Sequence, residues 1–327
     1  MIRLLRLEEV PADAWDALLG RLVSPPPFLY RSFLLPWRRA FAQGRDVRAA
    51  VWSPSGGSVE GLLFLLRLPG GGWTFLGSEE VADYLDAAVA PGLEEAFWRE
   101  FLSEGLPALG GGPLDLPGLV EGAAPLAVLP RLCEGAGRPC RVEEMDRAPF
   151  VALPATFEEY LAALGGKGRH ELRRKMRRAG ERLPGLAFRM TRTGEELERD
   201  LPSFLDLHRK SHPGKERFMD DRMAAFFREV AGGFLREGAL RLAFLSSGGE
   251  DVASAFQFRT RRAVLLYNSG YDPGRREAQP GLVLIARCIE HALGEGAREY
   301  DFLRGTERYK YDLGGVDRVV YRVTVPM

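Results

Sequence analysis

Apolar residues along this chain recur at two spacings, one helical and one alternating or continuous over short runs. Around Pro11 to Leu22 polar and apolar positions mix as in a helix, Pro25-Pro26-Pro27 breaks the pattern, and an aromatic stretch runs from Phe28 to Phe41. Two apolar runs follow, Val47 to Trp52 and Val59 to Leu66, joined by Ser53-Pro54-Ser55-Gly56-Gly57-Ser58. Short apolar runs around a Gly- and Ser-rich connection predict a hairpin. Trp73 to Leu76 predicts a third strand, and Pro91 to Leu102 a helix with Leu93, Ala96, Phe97 and Phe101 on one face.

The same order returns in the second half. Leu240 to Leu245, Val252 to Phe258 and Ala263 to Asn268 predict three strands, and Leu282 to Leu293 the helix after them. Gly77-Ser78 followed by Pro91-Gly92-Leu93 is echoed by Ser269-Gly270 followed by Pro280-Gly281-Leu282. Matching pairs at matching places in the element order predict an internal duplication, with a boundary near residue 150. The two units are then 1–150 and 151–327. A chain of 327 residues fits that division, being longer than one core usually supports.

A basic linking helix is predicted over 158–183, where Leu172, Met176, Ala179 and Leu183 form an apolar stripe. Lys167 to Arg182 contains eight Lys or Arg against Glu171 and Glu181. Such a face is either solvated and ion-paired or a seat for the phosphates of coenzyme A, a nucleotide-linked acceptor or tRNA.

Composition narrows the class. Apolar residues at 46% and charged residues at 28% are those of a globular enzyme, and 45 basic against 45 acidic residues leave no net charge to draw the chain to nucleic acid or anionic membrane. No apolar run approaches the ~18 residues of a membrane span and the N-terminus has no secretory pattern, so a cytoplasmic location and no membrane partner are expected. Cys133, Cys140 and Cys288 are odd in number and lack CxxC spacing, which argues against a disulfide framework or a disulfide-linked partner. His208 and His212 stand at i, i+4 without a carboxylate or cysteine at ligand spacing, so no metal is expected. One Asn, three Gln and five Lys beside 40 Arg suit a thermophilic source or a GC-rich genome.

Two stretches carry candidate chemistry. From Tyr267 to Leu282 a strand leads through Gly270, Arg275 and Arg276 into Gln279-Pro280-Gly281-Leu282 at a helix start, where free backbone N–H groups and the helix dipole suit a pyrophosphate. From Glu299 to Tyr311, Asp301, Arg304, Glu307, Tyr309 and Lys310 crowd a strand end and its loop, the end where α/β ligands usually bind.

Phe204 to His212, Ser269-Gly270-Tyr271-Asp272-Pro273, Pro280-Gly281, Tyr300 to Gly305 and Tyr309-Lys310 together resemble the C-terminal half of the CelD-like branch of GNAT acyltransferases, relatives of the FemAB aminoacyl transferases. Phe28 to Trp37, Phe75-Leu76-Gly77-Ser78 and Asp83-Tyr84-Leu85-Asp86 resemble that branch's N-terminal signature. The resemblance implies an α/β (α+β) fold of two tandem GNAT units, each a mixed, mostly antiparallel sheet flanked by helices. It also implies acyl transfer to an amine of a small-molecule or cell-envelope precursor. The coenzyme A loop of single-domain GNATs, Arg/Gln-x-x-Gly-x-Gly/Ala, is absent before Leu282, as is the coiled-coil insertion of several tRNA-dependent relatives. On balance acyl-CoA is the expected co-substrate; an aminoacyl-tRNA-dependent transferase and a non-catalytic binding relative are the alternatives.

Amine attack on a thioester needs a base, donors for the oxyanion and a proton for the leaving thiolate. Asp301 and Glu307 are candidate base or orienting acids, Arg304 and Lys310 charge stabilisers, and Tyr267 and Tyr309 donors. The resemblance associates an aromatic-Lys pair such as Tyr309-Lys310 with charge stabilisation. Gln279, Gly281, Leu282, Arg275 and Arg276 are the expected donor seat, and Asp83, Tyr84, Asp86 and His208 the expected acceptor contacts.

Overall fold

A computed structural model describes residues 1–77 and 81–326, and the chain divides into two compact units, 1–147 with 318–327 and 148–317. Ser78, part of the N-terminal signature, lies outside the described residues.

The first unit runs β1 (Ile2–Leu5), α1 (Ala12–Arg21), α2 (Arg31–Phe41), β2 (Val47–Trp52), β3 (Gly61–Arg67), β4 (Trp73–Phe75), β5 (Ala88–Val89) and α3 (Glu94–Glu100). A π turn at Phe101–Gly105 carries α3 into α4 (Leu106–Ala108), followed by β6 (Leu114–Val120) and α5 (Ala124–Gly135). The sheet order is β1-β2-β3-β4-β6-β13, where β13 is Val316–Val325; β4 and β6 are parallel and the remaining pairs antiparallel. The hairpin predicted from the Ser- and Gly-rich turn is β2–β3, in register from Val47↔Leu66 to Trp52↔Gly61. Residues 318–327 belong to this unit and not to the second, because β13 takes its ladder from β6, with Val320 opposite Val120 and Val325 opposite Leu114.

The second unit takes the end of β7 (Arg141–Ala152), then α6 (Phe157–Ala163), α7 (Gly165–Arg182), β8 (Ala187–Met190), α8 (Gly194–Ser211), α9 (Pro213–Phe218) and α10 (Asp221–Arg236). It continues with β9 (Leu240–Ser247), β10 (Glu250–Arg259), β11 (Ala263–Tyr271), α11 (Pro280–Gly294), β12 (Glu299–Asp301) and α12 (Arg308–Asp312). Its sheet order is β7-β12-β11-β10-β9-β8, antiparallel except for β11–β12. The single basic helix expected over 158–183 is two helices. Gly165 takes φ +73°, a left-handed conformation that ends α6 and starts α7 afresh.

Alternation along the strands builds two apolar layers. Ala253 and Ala255 of β10 pack with Leu172 and Ala179 of α7 and Leu284 and Ile289 of α11, while Phe256 meets Phe204 of α8 and Phe227 of α10. Thr193 opens α8 with a capping box to Glu196, two backbone donors thereby satisfied. Closest approach is at Gly270 of β11, where a Cβ would lie 2.4 Å from the His208 N and 2.5 Å from the Leu207 O, so a side chain there would push α8 off the sheet. Among the described residues no helix is long and apolar enough to cross a membrane, and Cys133, Cys140 and Cys288 are free.

Candidate active site

The cleft begins where two parallel strands part. β11 and β12 pair only from Ala263↔Glu299 to Leu265↔Asp301, and beyond that point β11 runs on to Tyr271 without its neighbour. A register shift between Phe256 and Gln257 leaves Tyr267 as an extra residue, a bulge that bends the strand. The Asp272 N–H donates to Val252 O, which makes Ser254/Gly270 the next hydrogen-bonded pair and Ala255/Ser269 and Ala253/Tyr271 non-bonded pairs. The N–H and C=O groups of Ser269 and Tyr271 therefore point away from β10.

That edge opens on a cavity of about 340 Å³. Ser269, Gly270 and Tyr271 line one side, and Gln279, Gly281 and Leu282 line the start of α11. No side chain caps α11 and Pro280 has no N–H, so the N–H groups of Gly281 and Leu282 stand at the positive end of a 15-residue helix. Gln279 sits at φ 51°, ψ 48°, turning the chain sharply into the helix. Lys175, Lys215 and Arg276 add three cationic groups to the wall, against a single lining carboxylate, Asp312. Lys175 stands 3.9 Å from Asp312. Net positive charge beside a helix N-terminus is an anion site of the kind that holds phosphates.

Lys215 sits on α9, whose first turn is fixed by the His212 imidazole accepting from the Gly214 N–H at 3.0 Å. Its ammonium donates to Ser269 O at 2.5 Å, and burial pulls its pKa below the ordinary lysine value, with Glu307 acting in the opposite direction. Tyr309 of α12 reaches the same cavity. Burial, with the nearby Glu307 charge, raises its pKa above the usual phenol range, so the hydroxyl keeps its proton at neutral pH.

Several expected site residues are placed elsewhere. Lys310 is not free to meet a developing oxyanion: its ammonium, in a side chain 3% exposed, donates to Leu303 O at 3.2 Å, Arg304 O at 2.6 Å and Gly305 O at 3.1 Å, and pairs with Glu307 at 2.9 Å. An ammonium has three protons, and these contacts use them. Asp301 is buried and its Oδ1 accepts from the Leu303 N–H at 2.7 Å, so it shapes the turn and has no exposed oxygen for base work there. Leu303 itself has φ 56°, a strained conformation for a bulky residue. Glu307 is exposed beside Lys310, and Arg304, half-buried, gives its carbonyl to Lys310. Tyr267 turns its ring to the other face of the sheet, 5.4 Å from Phe227 and 5.1 Å from Phe258. Arg275 is drawn to Asp272 at 3.8 Å and does not line the cavity that Arg276 lines.

His208 is likewise no acceptor contact of this cavity. It is 1% exposed between Phe204 and Phe218, and its Nε2 shares a 2.9 Å hydrogen bond with Asn268 Oδ1. Burial, then Lys215 and Arg209, lower its pKa to about 4, so the ring is neutral and Nε2 donates. Among the described residues no group of three His, Cys, Asp or Glu gathers as metal ligands would.

Asp83, Tyr84 and Asp86 belong to the first unit. Tyr84 is buried edge-on to Phe28, and Asp86 lines a cavity of about 270 Å³ there with Glu94 and Trp98. Burial raises the Asp86 carboxyl to about 7, with Glu94 adding to the rise. At the corresponding helix start in this unit, α3 opens with Glu94 and Glu95 where α11 offers bare N–H groups, and that charge would repel a phosphate.

The sequence reading did not single out Lys215 or Asp312, took Lys175 only as one of eight cations of the basic helix, and gave Ser269 and Tyr271 no role of their own. A signal for the two lysines existed: they are two of only five in the chain. Five of the basic helix's eight cations (Arg173, Arg174, Lys175, Arg177 and Arg182) stand in ion pairs, and one of these five, Lys175, also lines the cavity.

Residues 166–311 match the family model described as an acetyltransferase (GNAT) domain. No curated protein sequence matches the chain. Among solved structures, FemX is similar at 11% identity over 98% of this chain and 96% of that one, with a TM-score of 0.67. L-PGS from Bacillus licheniformis is similar at 14% identity, covering 96% and 91% with a TM-score of 0.61. A tandem GNAT protein from the clavulanic acid biosynthesis pathway covers 99% and 98% at 15% identity and a TM-score of 0.50. At such identities the likeness is one of fold.

Proposed function

With residues 166–311 forming a GNAT acetyltransferase domain, the fold of N-acyltransferases, we propose that this chain moves an acyl group from acyl-CoA to an amine in the cavity between β11, α11 and α12. One observation carries the choice of donor: the uncapped start of α11 and the Arg276 side chain meet on one wall of the cavity. This suits the pyrophosphate of coenzyme A, with the thioester running along the unpaired edge of β11. The missing Arg/Gln-x-x-Gly-x-Gly/Ala loop is answered by the turn from Asp272 to Gln279, which brings Arg276 to the wall.

In this reading the thioester oxygen accepts from the Ser269 or Tyr271 N–H, with the Lys215 charge beside it. The amine nitrogen attacks the carbonyl carbon, and its surplus proton passes to Asp312 and from there to solvent. Collapse of the tetrahedral intermediate breaks the C–S bond, and the thiolate takes the Tyr309 hydroxyl proton, which solvent then replaces. Tyr309 is assigned the acid role because it lines the same cavity and carries its proton at neutral pH.

The rival donor, aminoacyl-tRNA, draws support from the fold shared with FemX and L-PGS. Pairing of most cations on α7 weighs against it. Thiol release from acetyl-CoA in the presence of a panel of amines tests the choice. Turnover whose donor KM changes less than about threefold between 50 and 200 mM salt supports coenzyme A, whereas transfer only from charged tRNA, with a loss of ~10³ or more over that range, overturns it.

A further inference from the structure

We infer that Lys310 and Asp301 are positioning residues that act through Tyr309. The inference rests on the acid role proposed for Tyr309 and extends it to the turn that holds α12. Three successive carbonyls, those of Leu303, Arg304 and Gly305, converge on the Lys310 ammonium at 2.6 to 3.2 Å, and Asp301 accepts from the N–H of the first. Both ionisable residues are buried, at 2% exposure each. Between them Leu303 is held in the left-handed region, which a leucine does not keep unless its surroundings impose it.

The clamp ties the turn after β12 to α12, and Tyr309 is the residue before Lys310 on that helix. Around it, the Lys310 carbonyl accepts from Gly315 N at 2.9 Å, and a Cβ on Gly315 would come within 2.8 Å of that same oxygen. Tyr309 packs edge-on to Phe302, ring centroids 6.2 Å apart, in the turn that the clamp fixes. Releasing the ammonium frees α12 to shift, and a displacement of about 1 Å at a proton donor is enough to lower turnover by orders of magnitude.

A double-mutant cycle on the full chain tests this, with acetyl-CoA and an accepted amine. Lys310→Met should lower kcat 10- to 100-fold with donor KM changed less than threefold, and Tyr309→Phe should lower kcat at least as much. In the Tyr309→Phe background Lys310→Met should cost less than threefold further, because the group it positions is already gone. Should Lys310→Met fail to fold, Lys310→Gln, whose amide donates to at most two of the carbonyls, gives a smaller loss with the same non-additivity. Equal costs in both backgrounds, or an unchanged kcat in the single variant, overturn the positioning role. Absence of acyl transfer from acetyl-CoA by the wild type overturns the functional reading and this inference with it.

Discussion

Lys215 on α9 donates to the carbonyl of Ser269 on β11 at 2.5 Å, a cation fixed against the strand edge that faces the cavity. Its position makes it the charge best placed for a developing oxyanion on that edge. Lys215→Met should lower kcat/KM for the acyl donor about 10²-fold, or about 2.7 kcal/mol of transition-state stabilisation. Lys215→Arg should restore little, because a planar fork does not replace a compact ammonium. Steady-state kinetics with a retained melting temperature decide; a loss under threefold removes Lys215 from the site.

Much of the fold was legible because short apolar runs and Gly-rich turns carry their own geometry. The β2–β3 hairpin and the α11 start at Pro280 follow from local sequence alone. Two features were not. The break at Gly165 depends on one backbone dihedral, and the return of β13 to the first unit depends on which ladder is open to it. The rarity of lysine does not say what the Lys310 charge touches; three carbonyls within its own loop claim it. Lys175 and Lys215 share that rarity, yet only the packing of α7 and α9 brings them to the cavity.

His208 gives a pH dependence of stability. Its folded pKa of about 4 lies below the ordinary 6.5, so between these values the unfolded chain binds a proton that the folded chain refuses. Stability therefore rises with pH across that window, and falls by on the order of 3 kcal/mol as pH drops from 6.5 to 4. Urea denaturation from pH 7 to 4 should show the slope, and His208→Leu should flatten it. An unchanged slope in the variant means other groups carry it.

Asp86 runs in the opposite sense. Its carboxyl is raised to about 7 by burial and then Glu94, so from the unfolded value of 3.8 upward the unfolded chain releases a proton that the folded chain keeps. Stability is lost as pH rises through that window. Asp86→Asn should raise the melting temperature at pH 8 by on the order of 5–10 °C and hardly change it at pH 4. Lowered melting at pH 8 would mean that the charged carboxylate has a partner in the first unit.

The most direct test of acyl-CoA binding at the α11 start is calorimetric titration of acetyl-CoA into the full chain and into Gly281→Leu. Gly281 is 3.4 Å, measured from an added Cβ, from the Tyr271 ring, so alanine would fit where leucine must enter the cavity. Saturable binding of one acetyl-CoA per chain, weakened tenfold or more in Gly281→Leu with its melting temperature within about 2 °C of wild type, is the predicted result. Wild-type protein that binds no acetyl-CoA, or a Gly281→Leu variant that binds it undiminished, would contradict the account.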